Sequence, residues 1–133
     1  MDRTMERKGD GMKLRELVPM LRTRDLEGTV EFYTKTLGFE CGELNQEWGW
    51  AALHRDGVEV MLARPNDHEP FERPVFTGSL YIRTDDVDAL WEQLRGSAKV
   101  CYPVDDFDHG MREFAIYDNN GYLLQFGQEI ETS

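Results

Sequence analysis

The chain has 133 residues, 40% hydrophobic and 11% aromatic, which suits one domain with a buried core and excludes a disordered tail. Its net charge of −11 comes without a basic patch, which excludes the electrostatic footprint of a nucleic-acid binder and leaves an acidic surface that attracts cations. No apolar run is long enough for a membrane-spanning helix.

Residues 1–13, MDRTMERKGDGMK, are charged but lack an apolar segment, so they read as a disordered extension rather than a signal peptide. A first strand is expected to begin near Leu14. Cys41 and Cys101 form neither a CxxC pair nor a disulfide framework, which points to a reduced, cytoplasmic protein with Cys41 in a structural role.

The chain then repeats itself. MLRTRDLEGTVEFY from Met20 and YIRTDDVDALWEQL from Tyr81 align at an offset of 61, pairing Arg22, Thr23, Asp25 and Glu31 with Arg83, Thr84, Asp86 and Glu92. Each copy reads as an apolar strand, an acidic N-cap and a helix. The spacing of Leu26, Val30, Tyr33 and Leu37 predicts the first helix, and that of Val87, Leu90, Trp91 and Leu94 the second. Asp25 and Asp86 cap them, and Gly38 and Gly96 end them as C-cap glycines. Trp91, on the apolar stripe, is expected to pack in the core.

Three strands follow each helix. They are predicted at Phe39–Leu44, Trp48–His54 and Val58–Ala63, then at Val100–Tyr102, Arg112–Tyr117 and Tyr122–Gly127. HRDGVEV and IYDNNGYLL supply the matching hairpin turns, Asn120-Gly121 tolerating positive φ. Prolines 65, 70 and 74 mark a linker over residues 65–77. The fold class is therefore α+β, with two tandem βαβββ modules (14–64 and 78–128) forming a shared concave mixed sheet, and a short tail over 129–133.

This duplicated pattern, carried by RDLEGTVEFYTKTLGFE, RTDDVDALWEQL and MREFAIYDNNGYLLQFG, resembles the vicinal oxygen chelate superfamily: glyoxalase I, extradiol dioxygenases, and fosfomycin and bleomycin resistance proteins. The resemblance implies that a metal, where present, is held by the first and last strands of each module. Counting seven residues before each capping Asp gives Val18 and Ser79; counting four after each turn Gly gives Met61 and Gln125. A hard or borderline divalent ion needs several carboxylate, imidazole or amide donors, and of these four only Gln125 offers one. No metal cofactor is expected, and Gln125 is left to line the same cavity. His54, His68 and His109 show no metal-ligand spacing, and there is no nucleophile motif.

Within the superfamily the nearest resemblance is to the metal-free bleomycin resistance group, homodimers that sequester the drug in clefts between subunits. His109-Gly110-Met111-Arg112-Glu113-Phe114 and the turn Asp118-Asn119-Asn120-Gly121 carry that likeness, with His109 where the group has Trp and Asn119 where it has Pro. The expected ligand is aromatic or cationic, bleomycin or a related compound. Trp48 and Trp50, two apart, are expected to share one face of a strand and stack on it. Met61, Ser79, Tyr102, Phe107, His109, Arg112, Phe114 and Gln125 complete the expected binding set, and Asp105, Asp106 and Asp108 lie beside it. The alternatives are a metal-dependent lyase, isomerase or dioxygenase with displaced ligands Gln125, Glu113 and His54, and a partner-binding module that inherits the fold.

Overall fold

The computed structural model describes residues 14–131; the expected extension over 1–13 and the end of the tail lie outside them. The elements run β1 (Met20–Arg22), α1 (Leu26–Glu31), a π turn (Phe32–Thr36), β2 (Glu40–Asn45), β3 (Trp50–Arg55), β4 (Val58–Ala63), β5 (Leu80–Arg83), α2 (Val87–Leu94), β6 (Lys99–Asp106), β7 (Met111–Tyr117) and β8 (Leu123–Glu129). The predicted βαβββ order thus appears in both halves.

Several boundaries move for local reasons. The first strand starts at Met20, not Leu14, and Leu14 and Leu17 stand exposed. Pro19 has no N–H for the ladder, although its carbonyl still accepts from Met61 N at 2.9 Å. The first helix widens into its π turn, closed by Leu37 N–H on Phe32 O at 3.1 Å. Gly38 ends it at φ +78°, as expected of a left-handed C-cap. Gly96 takes no positive φ, because the chain continues right-handed, with Ser97 and Ala98 N–H both on Leu94 O. The last strand begins at Leu123 and not Tyr122, because Asp118 organises the preceding turn: its Oδ1 accepts from the N–H groups of Asn120, Gly121 and Tyr122. Only Gly121 of the Asn-Gly pair has positive φ.

The strands form two four-stranded mixed sheets, ordered β1-β4-β3-β2 and β5-β8-β7-β6. In each, the first strand pairs in parallel with the last, Met20 opposite Met61 and Tyr81 opposite Gln125. One core serves both modules: Leu26, Tyr33, Leu53 and Leu62 of the first pack into the same cluster as Val87, Leu94, Phe114 and Phe126 of the second. Trp91 packs against that cluster, its ring 5.3 Å from Phe114.

The modules are joined by polar contacts at the Asp118 turn. The Tyr33 hydroxyl donates to Asp118 Oδ2 at 2.8 Å, and the Tyr122 hydroxyl donates to Arg22 O at 3.0 Å. Asn119 and Asn120 both donate to Thr29 Oγ1, at 3.0 and 3.1 Å. Asn119, which stands where the resembling group has Pro, therefore binds the first helix. The linker folds back on both modules, on the first through the Arg22–Glu69 ion pair and on the second through Phe71, which stacks on Tyr122.

Candidate functional site

Strand alternation sorts the second sheet into two faces. Leu80, Ile82, Phe114, Ile116, Leu124 and Phe126 turn toward α2 and the core. Tyr81, Glu113, Ala115, Gln125 and Gly127 lie on the opposite, open face, in register across β5, β8 and β7.

On that face one carboxylate gathers the polar groups. Glu113 is buried at 4% exposure. Its Oε1 accepts from the Tyr81 hydroxyl at 2.8 Å and from His109 Nε2 at 2.9 Å. Its Oε2 accepts from the Tyr102 hydroxyl, which itself accepts from Gln125 Nε2 at 2.8 Å. The Ser79 hydroxyl donates to Gln125 Oε1 and closes the network. Burial raises the Glu113 carboxyl, but hydrogen bonds from Tyr102, His109 and Tyr81 outweigh it and hold the group below its ordinary value. Burial, then the bond to Glu113, pushes the Tyr81 and Tyr102 phenols up to about 12. The cluster is thus an ionised carboxylate under neutral hydroxyls at neutral pH. Phe107 walls it, stacked on His109 at 5.9 Å and edge-on to Tyr102 at 5.5 Å.

Of the expected binding residues, Ser79, Tyr102, Phe107, His109 and Gln125 come together here. Trp50 and Met61 lie on the open face of the first sheet, with Ala52 and Met20 between and beside them. Trp48 does not share a strand face with Trp50: it falls in the turn before β3, 78% exposed, its N–H held by Asn45 Oδ1. Gly49, at φ +71°, breaks the strand between them. Phe114 is a core residue with no exposed surface, because its parity on β7 points it at α2, where it stacks on Phe126 at 5.2 Å. Arg112 shares that parity and pairs with Asp88 and Asp106 instead of lining the open face. Cys41, read as structural, is exposed on β2 and takes no part in the core.

Tyr81 and Glu113 are the members of the cluster missing from the expected set. Glu113 sits inside the MREF stretch, and parity opposite the apolar Phe114 could have placed it on the open face. Tyr81 has a weaker signal, the strand-interior Gly127 beneath its ring.

The donor set does not fit the family's divalent metal. Val18 precedes β1 and has no donor, Met61 offers a thioether, and the Ser79 and Gln125 groups are bonded to each other. The displaced set fares no better: His54 pairs with Glu40 on the first sheet while Glu113 and Gln125 lie on the second. Among the described residues no three His, Cys, Asp or Glu side chains come together as a metal-holding group. A hollow of about 630 Å³ opens elsewhere, on the helix side between the Asp56-Gly57 turn and α2, and contains none of the expected binding residues. No described helix is long and apolar enough to cross a membrane.

The family model of the Glyoxalase/Bleomycin resistance protein/Dioxygenase superfamily matches residues 16–126. Among solved structures, TioX from Micromonospora sp. ML1 superposes with a TM-score of 0.70 at 23% identity, over 87% of this chain and 99% of that one. A superfamily member from Sphaerobacter thermophilus gives 0.74 at 22% identity, over 88% and 98%, and one from Nocardioides 0.73 at 22%, over 92% and 89%. At these identities the likeness shows the fold. No curated protein matches the chain.

Proposed function

The chain belongs to the glyoxalase/bleomycin resistance protein/dioxygenase superfamily, and from that premise we propose that it is a non-catalytic small-molecule binding protein. It sequesters an aromatic or cationic antibiotic, or a related metabolite, and acts as a homodimer. The observation that carries the reading is the fate of Gln125. At the one metal position with a hard donor, the side chain is tied into the Ser79–Tyr102–Glu113 network. A preformed polar cluster with an aromatic wall orients a ligand without performing chemistry on it.

A second copy has reason to bind. Each sheet leaves two edge strands, β1 and β2 or β5 and β6, and two open faces. Met20 on one open face and Tyr81 on the other are 44% and 40% exposed, a supply of contact surface for a cleft between subunits. The acidic net charge of −11 draws cations to that cleft.

Titration of the purified protein with metal-free bleomycin, followed by tryptophan fluorescence, tests the proposal. Saturable quenching at a drug molecule per subunit, lost in Trp50→Ala, with the drug recovered unaltered, is the expected result. A strictly monomeric protein that binds neither bleomycin nor any member of a thermal-shift library would overturn it, as would turnover of a bound compound.

A further inference from the structure

Resting on the binding reading above, we infer that the open face of the second sheet takes a cation that carries N–H groups, an ammonium, amidinium or guanidinium, and that Tyr81 and Glu113 set this choice. A hydroxyl has one proton to donate and two lone pairs to accept with. The Tyr81 and Tyr102 protons both point inward, to Glu113. The Ser79 proton goes to Gln125 Oε1, and the Gln125 amide donates to Tyr102. Apart from the second ring nitrogen of the exposed His109, what the cluster has left to offer is therefore lone pairs, on Tyr81 Oη and Ser79 Oγ above all. Tyr81 is 40% exposed as a residue, so the open face is accessible beside the network.

Beneath these acceptors lies a negative charge that no Lys or Arg neutralises. Among the described residues the ion pair of Glu113 is with His109 alone. Arg112, its neighbour in sequence, points to the other face and is held by Asp88 and Asp106. Arg83, next along the open face of β5, is near enough for its charge to act on the Tyr81 phenol, but it makes no ion pair with Glu113 and borders a hollow that it shares with Asp85, Glu129 and Glu131. A carboxylate or phosphate would meet acceptors backed by a buried anion. A quaternary ammonium would find the aromatic wall of Phe107 and Tyr102 but could not engage the hydroxyl lone pairs. An N–H cation satisfies both, the Tyr81 and Ser79 oxygens accepting from the ligand while their own protons stay directed at Glu113 and Gln125.

Three aryl probes of similar size separate these cases: benzamidinium, trimethylphenylammonium and benzoate, each titrated into the full chain and followed by backbone amide chemical shifts. Benzamidinium is expected to shift amides of β5, β7 and β8. Trimethylphenylammonium should bind at least about tenfold more weakly, the order expected for a lost charge-assisted hydrogen bond. Benzoate should leave the spectrum unchanged. Tyr81→Phe, which keeps the ring, should weaken benzamidinium by about tenfold on the same ground, and Glu113→Gln should weaken it further. Binding of benzoate, equal binding of the two cations, indifference to Tyr81→Phe, or silence from all three probes would each overturn the inference. Silence from these three probes does not touch the binding reading, which falls on the outcomes of the bleomycin titration and compound library given above.

Discussion

The end of the Tyr81 ring lies over Gly127: a Cβ built at that glycine would fall 2.7 Å from Tyr81 Cζ and overlap the hydroxyl. Gly127 pairs with Glu113 across β7 and β8, so the missing side chain is the gap through which Tyr81 crosses one strand to reach a carboxylate on the next. Gly127→Ala is expected to push Tyr81 aside and leave Glu113 short of a donor. A cost of about 1–3 kcal/mol in urea denaturation corresponds to that loss. Gly57→Ala is the control, since a Cβ there meets nothing within 4 Å. Equal stability of the two variants would count against the contact.

The two phenols on Glu113 give a signature at high pH. Their folded values lie near 12 against an ordinary 10.0, through burial first and the bond to Glu113 second. A raised phenol favours the folded state in its neutral form. That stabilisation is complete below the unfolded value and is lost as pH rises from 10 toward 12. Burial also raises Tyr33 and Tyr122, and Cys101 raises Tyr117, so the test is by difference: tyrosinate absorbance should lose one late-titrating group in Tyr81→Phe and another in Tyr102→Phe. Titration of both near the ordinary value would contradict the network.

Tyr33 and Asp118 make the corresponding test of the seam between modules. Burial raises the Asp118 carboxyl, against hydrogen bonds from Tyr33 and from three backbone N–H groups that lower it. Tyr33→Phe removes one of these donors inside the core and should cost about 1–2 kcal/mol. Asp118→Ala should cost more, because three turn N–H groups lose their acceptor together. With one core across both modules, unfolding should remain a single transition by fluorescence and circular dichroism. Separate transitions for the two modules would contradict that continuity.

Trp48 and Phe114 should behave as opposites. Trp48, on an exposed turn, should change stability by no more than about 0.5 kcal/mol when replaced by Ala. Phe114→Ala, between Trp91 and Phe126, should cost about 3–5 kcal/mol by emptying a core position. A stable Phe114→Ala protein would place that ring outside the core.

The organisation of this fold was readable because it is written twice. Asp25 and Asp86 cap their helices as expected, accepting from Gly28 N and Ala89 N. The strand Val58–Ala63 has its predicted bounds because a two-residue Asp-Gly turn pins its register, with Arg55 opposite Val58. The site was legible only in part. Ser79, Gln125 and His109 were expected from motif position, and Tyr102 and Phe107 as aromatics before the last hairpin; the structure brings the five together. Phe114 and Arg112 were included with them although their parity on β7 is opposite to that of Glu113. The Trp48–Trp50 pair failed because period-two spacing requires a continuous strand, and the positive φ of Gly49 interrupts it. Tyr81 was missed because its role depends on Gly127, a residue 46 positions away that acts only by being small.

The central claim is that Gln125 belongs to a binding surface and not to a metal centre, and metal analysis tests it most directly. Wild-type and Gln125→Ala proteins would be purified from medium supplemented with Ni, Mn, Fe and Zn, and their bound metal measured by mass spectrometry. The account predicts metal far below stoichiometry in both. Near-stoichiometric metal in the wild type that vanishes in Gln125→Ala would contradict it and return the chain to the metal-dependent enzymes of its superfamily.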